Sequence, residues 1–338
     1  MSTLGELTNS FKPVETKDFQ VFYNYYSVFF ETRKYPRFYQ SILEMSQYVN
    51  VPLYFWGIID DCLVVVHKRH IHVPVFYLIW PPISRENNHS KEMGIIELFR
   101  NNGCHTRMSE EDMMVFGISK DEVNKNKYNY EFVYLANELK EMPGGKWKNI
   151  RYKVNKFKSL IEKGDVRVEY LREMNYGVFL KCKLIYDIWL KEKRKMSIHS
   201  AHKVLQGCPK DIENLITIIY NRDGGIVAWG ASECVSVAKI VQTTRFRNYQ
   251  DDIFIDPSTM IHYYECLYWI DVFPGKDVLC NFGSGVFPDL IEHKKRLKPV
   301  INLQLWDLKV DKRVDKKNWD FACVSWKKEK RLKKGFIF

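Results

Sequence analysis

Residues 130–160, YEFVYLANELKEMPGGKWKNIRYKVNKFKSL, constrain the fold more than any other stretch of this chain. They read as a strand, a Gly144-Gly145 turn, and a helix that opens on a dense run of positive charge. Trp147, Ile150, Val154, Phe157 and Ile161 recur at spacings of three and four, which places them on one helix face, the face that packs into a core. Between them stand Lys146, Lys148, Arg151, Lys153, Lys156 and Lys158, with no acid before Glu162. A solvated helix ordinarily mixes signs and gains i,i+4 pairs, whereas this one carries a field that an anion has to balance. Lys146, Lys148, Arg151, Lys153 and Lys156 are therefore candidate nucleic-acid-binding residues.

The whole chain shares that charge. Its 338 residues hold 52 Lys and Arg against 41 Asp and Glu, a formal net charge of +11, which favours an anionic partner: tRNA or DNA, a phosphorylated donor, or an acidic lipid surface. Residues 327–338 add a second basic run, Lys327, Lys328, Lys330, Arg331, Lys333 and Lys334, which reads as a solvated tail. With 46% apolar and 15% aromatic residues, a core is easily filled and wholesale disorder is excluded. The eight cysteines are scattered without a CxxC or a paired Cys/His spacing, and several sit in apolar runs, as in YYECLYWI; they read as buried thiols of a reducing compartment. The first residues lack the basic-then-apolar pattern of a secretory signal. The most apolar run, 73–83, is short for a membrane span and is broken by Pro74, Pro81 and Pro82. A cytoplasmic protein without a transmembrane segment is expected.

Patterning predicts a helix over 16–30 capped by Thr16, a hairpin of 51–59 and 63–68 turning at Asp60-Asp61, a strand over 73–80, and a helix over 91–102 ended by Gly103. Ser109 caps a further short helix, and 131–135 is a strand. The order then repeats: a helix over 175–195, a strand over 215–220, a turn at Asp223-Gly224-Gly225, strands over 226–234 and 238–244, a helix over 258–273, a strand over 278–281, a helix over 288–297 and a strand over 300–308. Element order alone suggests two similarly built α/β domains, 1–145 and 164–326, joined by the basic helix 146–163 and followed by the tail 327–338.

Four landmarks point to a family. FKPVETKDF near the start, VFYLIWPPISREN at 75–87, EFVYLANEL…GGKWKNIRYKVNKF at 131–157 and NFGSGVFPDLIEHKKRLKPV at 281–300 resemble, in order, the soluble C-terminal domain of bacterial phosphatidylglycerol lysyltransferases and the stand-alone proteins related to it. The resemblance implies two tandem GNAT-like folds, each a mixed, largely antiparallel sheet flanked by helices. It also implies an acyl-transfer scaffold, in which the fourth and fifth strands of the GNAT fold, here 238–244 and 278–281, splay to admit an acyl donor. Unpaired backbone groups in such a gap can bind the donor and stabilise charge on its carbonyl oxygen. One departure bears on the donor. A CoA-using GNAT follows its fourth strand with a Gly-rich turn that cradles pyrophosphate, but residues 245–258, RFRNYQDDIFIDPS, contain no glycine. Arg245 and Arg247 can bind phosphate, while Asp251, Asp252 and Asp256 oppose it. The related lysyltransferases use aminoacyl-tRNA, which suits both the missing loop and the excess of cations. Acyl-CoA or aminoacyl-tRNA is then the donor substrate, with no other cofactor indicated.

Candidate site residues follow, each with a structural alternative. In Asn281-Phe-Gly-Ser-Gly285, Asn281, Gly283, Ser284 and Gly285 either face the gap or make a tight turn that needs glycine. Lys294 and Arg296 either touch the donor or stabilise a helix C-terminus. The acceptor must lose a proton and the leaving group must gain one. Asp252, Glu265 and Tyr264 are candidates for those roles, beside Asp251 and Tyr263, against solvating or core roles. His67, His70 and His72 lack carboxylate or cysteine partners at metal spacing, so no metal site is expected. GxSxG, Walker and HExxH motifs are missing, which excludes those enzyme classes. Three functions remain: an acyl or aminoacyl transferase acting on an amine or hydroxyl, an enzyme transferring such a group to a DNA or tRNA base, and a non-catalytic nucleic-acid-binding protein, for which the aromatics beside the cations, Trp147, Tyr152 and Phe157, suit stacking on bases.

Overall fold

The computed structural model describes residues 10–37, 40–45, 49, 53–70, 73–173, 175–193, 214–246, 256–285 and 288–310. In chain order the strands are β1 (Lys12–Pro13), β2 (Tyr54–Ile59), β3 (Cys62–His70), β4 (Val73–Leu78), β5 (Ile83–Ser84), β6 (Arg107–Ser109), β7 (Val123–Leu135), β8 (Val166–Leu171), β9 (Asn214–Asn221), β10 (Ile226–Ser236), β11 (Lys239–Phe246), β12 (Leu279–Gly285) and β13 (Ile301–Leu308). The helices are α1 (Phe19–Thr32), α2 (Ile42–Met45), α3 (His89–Asn101), α4 (Glu110–Phe116), α5 (Ala136–Glu141), α6 (Lys148–Glu162), α7 (Tyr176–Lys193), α8 (Pro257–Val272) and α9 (Pro288–Arg296). Most bounds fall within a few residues of those the patterning predicts. Asp60 and Asp61 take φ of 48° and 61°, the two left-handed residues a tight hairpin requires. A 3-10 turn, Thr16–Asp18, precedes α1 and moves the N-cap back to Glu15. Several elements exceed expectation: β7 begins at Val123 rather than 131, and β1, β5, β6, β8, α2 and α5 are additional.

Packing divides the chain into two units that are not contiguous halves. The first comprises the described residues through Phe29, those of Tyr48–Lys127, and those from Gln304 on. Its sheet runs β1-β2-β3-β4, with β5 on the other end of β3. Phe22 of α1 lies edge-on to Trp56 of β2 with ring centroids 5.0 Å apart, while Ile95 and Phe99 of α3 pack with Val64, Val66 and Leu78. β6 pairs antiparallel with the end of β13.

The second unit comprises the described residues of 30–47 and 128–303, so the basic helix α6 belongs wholly to it. Its strands run β7-β12-β11-β10-β9-β8, antiparallel except for β11 and β12. One face carries a core of Ile219, Ala228, Ile240 and Cys280 from the sheet with Ile261 and Trp269 of α8 and Trp147, Val154 and Phe157 of the α6 segment. The predicted apolar stripe of α6 is thus buried at Trp147, Ile150, Val154 and Phe157. The opposite face packs Cys182 and Ile185 of α7 on Ile216, Ile218 and Trp229. Side-chain bonds to backbone explain why an N-terminal segment belongs here. Lys239 Nζ donates to the carbonyls of Phe30, at 2.6 Å, and Arg33; Asn281 Nδ2 donates to Pro36 O at 2.8 Å; Glu233 accepts from the Ile42 amide at 3.2 Å.

Candidate active site

The fourth and fifth strands of the second GNAT-like arrangement are β11 and β12. Their parallel pairing covers three positions, Lys239↔Leu279, Ile240↔Cys280 and Val241↔Asn281, and stops. β11 continues to Phe246 along β10, with Gly230 opposite Thr244 and Ala228 opposite Phe246. β12 continues to Gly285 along β7, with Ser284 opposite Glu131 and Gly285 opposite Tyr130. Each strand keeps its outer neighbour and loses the inner one, which leaves a wedge that opens beyond Val241 and Asn281. The register of β12 against β7 slips between Asn281 and Ser284, and Gly283 there takes φ of 80°, a left-handed conformation that favours glycine.

The first unpaired residues, Gln242 and Phe282, are both buried, and His262 of α8 fills the vertex between them. Its Nδ1 lies 2.9 Å from Gln242 Oε1, and its ring stacks on Phe282 with centroids 3.9 Å apart and planes 5° apart. Phe282 stacks in turn on Tyr134 at 3.9 Å. Lys294 of α9, also buried, donates its ammonium to the Phe282 carbonyl at 2.7 Å, and Tyr134 donates its hydroxyl to the Lys294 carbonyl at 2.8 Å. The wedge thus begins at a buried cation and a buried imidazole. Burial pushes the His262 pKa well below the usual imidazole range, helped by the charges of Lys294 and His293 and opposed by Asp256.

Other residues singled out from the sequence fall in several places. Asn281 is buried with its side chain committed: Nδ2 donates to Pro36 O at 2.8 Å and to Glu131 Oε2 at 2.6 Å, and Oδ1 accepts from the Gly283 amide at 2.9 Å. Glu265 is enclosed in the α8 core, and neither carboxylate oxygen has a hydrogen-bond partner among the described residues. Burial pushes its pKa well above the carboxylate range, with Cys266 adding; the Thr217 hydroxyl opposes the shift without reaching hydrogen-bond geometry. Thr217 is on β9, two strands from β11. Tyr264 packs against Phe157 and Tyr263, and burial raises its pKa to about 12. Arg296 is exposed at the end of α9. Arg245 lies on β11 opposite Trp229, and Ser284 and Gly285 lie on β12; the side chains of Arg245 and Ser284, and all of Arg247, Asp251 and Asp252, fall outside the described residues. Among the described residues no group of His, Cys, Asp and Glu is placed to hold a metal ion.

The cations of α6 divide by function. Arg151 donates to the carbonyls of Met142 and, at 2.7 Å, Gly144, closing the end of α5. Lys153 pairs at 2.9 Å with Asp256, the N-cap of α8. Burial alone would raise the Asp256 pKa, but hydrogen bonds from Lys153 and Thr259, with the His293 charge, hold it below the usual range. Lys146 pairs at 3.3 Å with Glu138. Lys148 and Lys156 are exposed, as is Tyr152 between them, at 66%. The vertex residues His262 and Gln242 are not among the acids and bases that the sequence singles out. His262 had a legible signal, a lone imidazole on the inward face of the apolar helix TMIHYYECLYWI; Gln242, in a plain apolar strand, had none.

No protein-family model and no curated protein matches the chain. Solved structures do. A conserved protein of unknown function from Bacteroides thetaiotaomicron is similar at TM-score 0.66 and 15% identity, over 89% of this chain and 99% of that one. L-PGS from Bacillus licheniformis is similar at 0.65 and 12%, over 89% and 94%. The C-terminal domain of a protein described as a lysylphosphatidylglycerol synthetase, from Agrobacterium fabrum, is similar at 0.58 and 10%, over 88% and 96%. These likenesses establish the fold. It is the tandem GNAT-like fold that the landmarks at 75–87, 131–157 and 281–300 imply.

Proposed function

We propose that the chain is a GNAT-like transferase that moves an acyl or aminoacyl group from an activated ester or thioester onto an amine or hydroxyl. The observation that carries this reading is the parting of β11 and β12 after three paired residues. Attack on the donor carbonyl places negative charge on its oxygen, and a cation already held in position stabilises that charge without reorganising. Lys294, buried at the start of the wedge, is such a cation. Aminoacyl-tRNA suits the site better than acyl-CoA. The 245–258 segment lacks the glycines that let backbone amides cradle pyrophosphate, and Lys148 and Lys156 on either side of the exposed Tyr152 suit a phosphate backbone with a base to stack. The likeness to L-PGS supports the same choice.

The test is transfer by the purified chain from labelled lysyl-tRNA, alanyl-tRNA or acetyl-CoA to phosphatidylglycerol vesicles, a soluble amine or a second RNA. Label should leave one of the aminoacyl-tRNAs, acetyl-CoA should be inert, and Lys294→Met should slow transfer about 100-fold, the cost of removing one charge-stabilising donor. Label remaining on every donor in every combination would contradict the reading.

A further inference from the structure

The wedge vertex holds a group with a proton-accepting atom to spare. Gln242 Oε1 can only accept, so His262 Nδ1 carries the ring hydrogen and Nε2 keeps its lone pair. No described residue hydrogen-bonds Nε2. The ring cannot easily turn, because Gln242 fixes one edge and Phe282, backed by Tyr134, covers a face. Both partners are the first residues beyond the last paired ones, so the imidazole is held at the point where the strands separate. From this geometry we infer that His262 is the general base of the transfer, its Nε2 taking the proton of the acceptor amine or hydroxyl.

This inference rests on the transferase reading. In the step, the acceptor nitrogen or oxygen forms a bond to the donor carbonyl carbon while its proton passes to Nε2. The carbonyl carbon–oxygen bond to the ribose then breaks, the electron pair stays on the ribose oxygen, and Nε2–H returns the proton there. The imidazole ends neutral, and no other reactant is consumed. The surroundings suit a base that must be free before attack. Lys294 of α9 faces it with positive charge, His293 of α9 adds charge only when protonated and its own pKa is lowered by burial, Asp256 at the N-cap of α8 acts in the opposite sense, and the hydroxyl of Tyr134 and the thiols of Cys266 and Cys280 lie in the same core. Burial, with the Lys294 charge, favours the free-base form of the ring.

The test is the aminoacyl-tRNA assay on the full chain with His262→Gln and Gln242→Leu. His262→Gln should slow transfer about 100-fold or more, leave KM for the aminoacyl-tRNA within about twofold, and abolish the acidic limb of the pH–rate profile. Gln242→Leu frees Nδ1 and should move that limb while leaving KM unchanged. Transfer by His262→Gln at the normal rate, or with its acidic limb intact, overturns the assignment. So does a rate loss matched by lost donor binding and a lowered Tm, which would make His262 a packing residue. If His262→Gln does not fold, an unmoved limb in Gln242→Leu overturns it instead. No transfer by the unaltered chain would overturn the transferase reading itself, a result distinct from normal transfer without His262.

Discussion

Glu265 and Asn281 show two ways of burying a polar side chain. Asn281 has a partner for each of its polar atoms and ties Glu131, Pro36 and Gly283 together. Glu265 has none among the described residues, and burial keeps its carboxyl protonated well above the usual range. Between the ordinary carboxylate pKa and that raised value, the unfolded chain has released this proton while the folded chain still holds it. Stability therefore falls as pH rises through that window. Glu265→Gln should remove the dependence: little difference in thermal unfolding at pH 4, and a gain of about 1–3 kcal/mol by pH 8, the scale of an unpaired buried polar group. Parallel Tm curves for the two proteins from pH 4 to 8 would contradict this. At this scale the sequence was partly legible. Asn281, Glu265 and Lys294 stand out in it as residue types, but whether such a side chain is saturated or unpartnered depends on strands more than a hundred residues away, as Glu131 does for Asn281.

At the scale of the element, α6 shows how much of a charge run is structural. Its apolar stripe packs as the spacing of three and four predicts, so Trp147 and Phe157 are buried and only Tyr152 of the three nearby aromatics can meet a base. Arg151 and Lys153 hold α5 and the start of α8, leaving Lys148 and Lys156 one turn either side of Tyr152 without a partner among the described residues. If this face meets RNA, Lys148→Glu with Lys156→Glu should weaken tRNA binding and reduce the slope of log affinity against log salt by about 2, near one per phosphate contact, with Tm unchanged. Lys153→Ala should do the reverse, costing about 1 kcal/mol of stability for a partly exposed pair and little affinity. Filter binding across a salt series separates the two; an unchanged slope in the double variant would make the face a solvated one.

For the whole molecule, element order was readable and the partition into units was not. Apolar runs bounded by turn and proline signals located α8, β11, β12 and α9 to within a few residues, because those signals are local. β8 was legible in the alternation of VRVEYL, and β7 less so because NKNKYNY precedes its apolar part. The grouping of 30–47 with 128–303 rests on Lys239, Glu233 and Asn281 bonding to backbone about 200 residues away or more, contacts that leave no local pattern. The same non-locality hides the vertex, where β11, β12 and α8 converge. Its occupation by donor is the central claim, and amide hydrogen exchange with and without a non-hydrolysable aminoacyl-tRNA tests it most directly. Protection concentrated at 242–246 and 282–285 is the expected result; protection elsewhere with those segments unchanged would contradict the account.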